Sequence, residues 1–178
     1  MTAFVVDTNV PITANRQASA WEECIKVCVE KLLEAREGLI VLDDKFRILG
    51  EYRRHRSPSA PGAGDDFIER VLNNRANPER CELVRLTPQN GSENDFAEFP
   101  DDPDLAGFDP SDRKFVAVAL ASANQPEVLN ATDTDWWHFR EPLERHGVTI
   151  RFLCPSQMPG AGKVNDAEKK RSRKRSRR

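Results

Sequence analysis

No stretch of this chain of 178 residues stays apolar long enough to cross a bilayer, and its start, Met1-Thr2-Ala3, lacks the charged and apolar regions of a signal peptide. Those two absences predict a cytoplasmic protein with no membrane role. Histidine and cysteine are scarce, at three and four residues, and they do not cluster. Cys24 and Cys28 lie one helical turn apart, while Cys81 and Cys154 stand alone on predicted strands. This pattern speaks against a zinc framework and predicts buried, reduced thiols. There is no internal repeat, and the chain is too short for two ordinary domains. The expectation is one domain over 1–155 and a basic, disordered tail over 156–178.

The tail follows from charge. The net charge of −2 conceals a division, because Lys163 to Arg178 carries nine Lys/Arg against two Asp/Glu. The remainder of the chain is therefore acidic, at −9. The run Lys169-Lys170-Arg171-Ser172-Arg173-Lys174-Arg175-Ser176-Arg177-Arg178 has nothing to bury and suits a nucleic-acid backbone.

Strand-like and helix-like patterns alternate over the rest, which points to βαβ crossovers and a central, mainly parallel sheet in a three-layer α/β/α sandwich. Phe4-Val5-Val6 is the first strand and a polar turn follows. Trp21, Ile25, Cys28, Val29 and Leu32 recur at helical spacing over Ala18 to Arg36, closed by Gly38. Leu39 to Leu42 is a strand, and Asp43 caps a helix running to His55. A third helix spans Asp65 to Asn77, Cys81 to Leu86 is a strand, and Thr87 to Phe108 is a long loop of the kind that is functional or flexible. A helix from Asp109-Pro110 to Asn124, a strand at Val128, a helix over Trp136 to His146 and a strand over Val148 to Leu153 complete the chain.

Chemistry concentrates in acids. Asp7 and Asp133 leave the tips of two strands at one sheet edge, where open parallel sheets bind ligands. Glu51 lies on the helix after the second strand, in phase with Ile48, Tyr52 and His55. Asp112 precedes Phe115 and Val116 by three and four residues and shares their inward face. Each acid also has an ordinary reading: Asp7 as a turn cap, Asp112 as a capping-box acid beside Asp109, Glu51 as a solvated helix residue, and Asp133 or Asp135 as the cap of the Trp136 helix.

Val5-Val6-Asp7-Thr8-Asn9-Val10, Glu51, Asp112 before Phe115-Val116-Ala117-Val118-Ala119-Leu120-Ala121, and Ala131-Thr132-Asp133-Thr134-Asp135, in that order, resemble the PIN-domain ribonuclease family over about residues 3–153. The 57–64 loop and the acidic segment near 93–104 depart from its compact members. The resemblance implies a metal-dependent endoribonuclease, toxin-like or a defence effector, with Asp7, Glu51, Asp112 and Asp133 catalytic. Asp7, Asp112, Asp133 and Asp135 would hold Mg²⁺ or Mn²⁺, and Asn9 and Thr8 would orient the acids. RNA is the implied substrate, with an antitoxin or other partner protein and a homodimer as further expectations.

A phosphodiester repels bare carboxylates, so hard, oxygen-seeking cations are what such a pocket requires. Arg53, Arg54, Arg113 and Lys114, with Arg56, are the candidate contacts to the RNA backbone by adjacency to Glu51 and Asp112. Trp136 and Trp137 are candidates to stack on a base, with at least one expected in the core. Other phosphoryl-transfer folds fit less well. A haloacid-dehalogenase-like site wants a second Asp where Asn9 stands, and a receiver domain wants a Lys on a late strand. The remaining alternative is a catalytically spent PIN-fold scaffold or an RNA- or protein-binding module.

Overall fold

The computed structural model describes residues 1–57, 59 and 61–160. The basic run from Lys163 lies outside the described residues. Five strands form one all-parallel sheet: β1 (Ala3–Val6), β2 (Leu39–Asp43), β3 (Cys81–Val84), β4 (Glu127–Asn130) and β5 (Thr149–Phe152), in the order β3-β2-β1-β4-β5. The helices are α1 (Asn9–Ala14), α2 (Glu22–Ala35), α3 (Arg47–Arg54), α4 (Ala63–Asn74), α5 (Arg113–Ala121), α6 (Thr134–His138) and α7 (Arg140–Arg145). The expected three-layer α/β/α sandwich with a parallel sheet is what the chain forms.

β1 and β2 are nearly continuous apolar runs because both of their faces are covered, and Phe4, Val5, Val6, Val41 and Leu42 are essentially inaccessible. On one side α1, α2 and α4 pack on one another, while α5 lies against β1, β2 and β4. The strand order reverses direction between β1 and β4, and at such a switch point the crossovers diverge and leave a crevice beyond the strand tips.

Several elements differ from the sequence expectation. The polar turn after β1 contains the short helix α1, whose Pro11 sits in the first turn, where a missing N–H is tolerated. The expected helix over 136–146 is two helices meeting at Phe139. Pro142 has no N–H to give to the His138 carbonyl, so one continuous helix would lose that bond and clash.

The 87–108 segment extends the hydrophobic core of the sheet. Phe96, Leu105 and Phe108 are fully buried, and Phe108 contacts Phe99, Phe139 and Trp136 with ring centroids 5.9, 5.7 and 5.3 Å away. Aromatic packing, with Arg47 over Phe96 and Arg113 over Phe99, is what holds this segment on the body. The packed chain also runs past residue 155, since Met158 is buried and the Trp137 indole donates to the Pro159 carbonyl at 3.0 Å.

The cysteine expectation is corrected. Cys24 and Cys154 form a disulfide with Cα atoms 5.4 Å apart, and only Cys28 and Cys81 are free. The sulfurs of Cys24, Cys28 and Cys154 lie within 4.8 Å of one another, all buried. Helix α2 faces the turn that follows β5, a juxtaposition across 130 residues that spacing along the chain does not reveal. Burial pushes the Cys28 thiol up to about 12, so the free neighbour is a poor nucleophile.

Candidate active site

The C-terminal tips of β1 and β4 are adjacent strand ends, and the chain stitches them together. The Asp7 N–H donates to the Leu129 carbonyl at 2.9 Å, and the Asn9 side-chain oxygen accepts from the Ala131 N–H at 2.8 Å. Asn9 also orients an acid, because its backbone N–H donates to Asp7 Oδ1 at 2.9 Å and fixes that carboxylate. Asn130, buried at the end of β4, accepts from the Asp133 N–H at 3.0 Å. Asp133 then caps α6, with its Oδ1 accepting from the N–H groups of Asp135 at 2.8 Å and Trp136 at 3.4 Å. The capping reading of Asp133 holds, and the same side chain stands at the crevice beyond the strand tips.

Glu51 reaches the same crevice because α3 is fixed at both ends of its first turns. Asp43, fully buried at the tip of β2, accepts from the N–H groups of Arg47 at 3.0 Å and Ile48 at 2.9 Å and pairs with the Arg47 guanidinium at 3.2 Å. It caps the helix from four residues upstream, across a turn in which Phe46 adopts φ 57°. One turn further on, the buried Tyr52 hydroxyl donates to the Val6 carbonyl, which locks the helix against the end of β1. Glu51 therefore stands beside Thr8, whose hydroxyl donates to Glu51 Oε1 at 2.6 Å.

Asp112 arrives on a 3₁₀ turn, Pro110–Asp112, that leads into α5. Asp109 caps this turn by accepting from the Ser111 N–H at 2.8 Å, and Asp112 makes no capping bond. Instead its Oδ2 accepts from the indole N–H of Trp136 at 3.2 Å. The indole is fully buried, so Trp136 is core and positions an acid rather than stacking on a base. Trp137 packs its ring on Phe152 at 5.0 Å. Asp135 lies on the rim, with its Oδ2 accepting from the Asp109 N–H at 2.9 Å.

The electrostatics match this convergence. Burial pushes the Asp7 carboxyl well above its ordinary range, and repulsion from Asp112, Asp133 and Glu51 adds to the effect against the Asn9 hydrogen bond. Asp112 is raised to about 7, by burial first and then by Asp133, with Lys114 opposing. Asp133 is also raised, chiefly by burial. Groups that resist ionisation, gathered at one crevice, are a mark of a site built for a positive partner.

The fit to a hard cation can be tested on the oxygens. Asp7 Oδ2 is buried without a hydrogen-bond partner among the described residues. Asp112 and Asp133 each have one oxygen tied to a donor, leaving the other free of hydrogen bonds among the described residues. Three acids thus present one anchored and one open oxygen each, a donor set suited to Mg²⁺ or Mn²⁺. Among the described residues no three carboxylates have oxygens all within 4.8 Å of one another, so an ion held by all three would have to draw them closer.

The basic candidates divide. Arg53 and Arg54 are exposed on the last turn of α3. Arg113 is half-buried, paired with Asp95 at 3.3 Å and set over Phe99. Lys114 is buried and pairs with Glu51 Oε2 at 2.6 Å while donating to the Ser111 carbonyl. Adjacency in sequence did not foresee that Arg113 and Lys114 turn inward. The available signal was the position of Lys114 directly before the wholly apolar Phe115–Ala119 run of a buried helix. A cavity of about 860 Å³ lies beside the 87–108 segment, lined by Gln89, Asp95, Glu98, Asp102, Arg113 and His146 among others, and none of the four acids lines it.

No helix among the described residues is long and apolar enough to cross a membrane. Compared with protein-family models, with curated proteins and with solved structures, the chain matches none.

Proposed function

We propose that the chain is a divalent-metal-dependent endoribonuclease of the PIN type, acting as a toxin-like or defence effector nuclease. The observation that carries this reading is the Asp7 oxygen at the β1/β4 switch point, buried with no hydrogen-bond partner among the described residues, with Asp112 and Asp133 near enough to raise its carboxyl further. The resemblance of the Asp7, Glu51, Asp112 and Asp133 segments to that family supplies RNA as the substrate. Asp7, Asp112 and Asp133 would hold Mg²⁺ or Mn²⁺, and Asp135 would act from the rim. When bound, such an ion acidifies water and offsets the charge that develops on the scissile phosphate.

The chain's own residues do the rest. Asn9 and the α6 N-terminus hold two of the acids in fixed rotamers, so little reorganisation accompanies substrate binding. Trp136 keeps Asp112 aimed at the crevice and excludes water behind it. Glu51 brings the Lys114 ammonium into the pocket, where a fixed positive charge opposes the phosphate's repulsion by the acids. With Arg113 and Lys114 engaged internally, contact to the RNA backbone falls to Arg53, Arg54 and the basic run from Lys163. The acidic body would otherwise repel RNA.

Sequencing of cellular RNA ends after brief induction, wild type beside Asp7→Asn, tests the proposal. New ends in the wild type that vanish in Asp7→Asn are expected. Equal cleavage by both would refute it. A calorimetric metal titration separates this reading from a spent scaffold, which would bind no divalent ion specifically.

A further inference from the structure

We propose that the Lys114 ammonium takes the place of a second metal ion, so that the site binds one divalent cation on Asp7, Asp112 and Asp133 while Glu51 is reserved for the lysine. The inference rests on the metal-dependent reading above and fixes its stoichiometry.

Both oxygens of Glu51 are already engaged. Oε1 accepts from the Thr8 hydroxyl at 2.6 Å and Oε2 from Lys114 Nζ at 2.6 Å. This pair is not a mobile surface contact, because the Lys114 side chain is only 7% exposed and its ammonium also donates to the Ser111 carbonyl. A buried ammonium is costly without a partner, and losing its one carboxylate would strand it. Glu51 is therefore committed.

A two-ion site needs acids on both sides of a pair of ions roughly 4 Å apart. At the strand tips the open oxygens belong to Asp7, Asp112 and Asp133, and the one on Asp7 is buried with no donor among the described residues. Two further acids lie nearby: Asp135 sits at the rim with one oxygen bonded to the Asp109 N–H, and Asp109 itself spends Oδ1 on the Ser111 N–H and hydroxyl. A second dication near Glu51 would meet the Lys114 ammonium and be repelled by it. Three carboxylate oxygens and retained waters would make up the octahedral set that Mg²⁺ or Mn²⁺ prefers, and the ion would draw together acids whose oxygens do not all lie within 4.8 Å of one another.

The test is Mn²⁺ titration of the full chain by calorimetry, with no cleavage readout. One ion per chain is expected for the wild type and for Lys114→Arg, and two for Lys114→Met, which frees Glu51. Two ions in the wild type, or one in a folded Lys114→Met, overturn the proposal. Should Lys114→Met fail to fold, two other variants decide. Glu51→Gln should change the wild-type Mn²⁺ affinity by less than about threefold, whereas Asp7→Asn should weaken it by about tenfold or more, the scale of losing a metal-site group. Equal weakening by both would make Glu51 a ligand and refute the inference. Absence of saturable Mn²⁺ binding, or binding indifferent to Asp7→Asn, would refute the nuclease reading as well, a result distinct from two-ion binding.

Discussion

The raised carboxyl of Asp112 makes the stability of the protein depend on pH in an unusual direction. A carboxyl whose folded pKa stands at about 7, against about 4 unfolded, holds a proton in the native state that the unfolded chain has released. Stability from this group is complete below pH 4 and is lost as pH rises through 7. The difference of about 3 units corresponds to at most ~4 kcal/mol, and solvent access to the crevice reduces this to roughly 2 kcal/mol. Asp7 and Asp133 shift in the same direction and add to it. Asp102, held down at about 2 chiefly by His146, titrates below this window and does not cancel the effect.

The measurement is urea unfolding at pH 5 and pH 8 in chelator, where the midpoint should be lower at pH 8. Asp112→Asn should flatten the dependence by removing one titrating group and relieving Asp7. Saturating Mg²⁺ should restore the midpoint at pH 8, because a ligand bound only by the native state stabilises it. A midpoint equal at both pH values, or a pH dependence unchanged by Asp112→Asn, would show that the acids do not crowd as described.

Two further outcomes follow from the disulfide and from charge. The Cys24–Cys154 bond closes a loop of about 130 residues, for which the chain-entropy model gives up to about 5 kcal/mol, so Cys154→Ser should lower the urea midpoint substantially. Thiol counting of the unfolded, unreduced protein should find two free groups, and four would refute the bond. Truncation after Gly160 removes the nine basic residues of the 163–178 run. In an Asp7→Asn background, RNA affinity by fluorescence anisotropy should then lose salt dependence, by up to about 6 in the log–log slope, and an unchanged slope would exclude the run from binding.

Much of this molecule is written locally. The unbroken apolar run Phe4-Val5-Val6 followed by Asp7 dictates a buried strand that ends at an acid, and a Pro after Asp109 dictates a helical turn capped by that residue. Alternation of such segments was enough for the parallel sandwich, since the periods of strands and helices are properties of neighbouring residues. The placement of the four acids and Asn9 was legible for the same reason: Asp7, Asn9, Asp112 and Asp133 stand at the ends of elements whose direction their neighbours fix, and Glu51 shares the helix phase of Ile48.

Pairings between distant residues were decided only in three dimensions. The sequence placed Asp7 and Asp133 at one edge, but the order β3-β2-β1-β4-β5 made β1 and β4 neighbours. Asp112 was equally well a capping acid until the Trp136 indole claimed it and Asp109 took the cap. Lys114 looked like a surface cation, and the burial of its helix face turned it onto Glu51. Arg113 went to Asp95 and Phe99 because the 87–108 segment packs over it, and Cys24 met Cys154 because α2 passes the turn after β5. Side-chain period reports which way a residue faces. Only the assembled sheet and helices determine what it meets there.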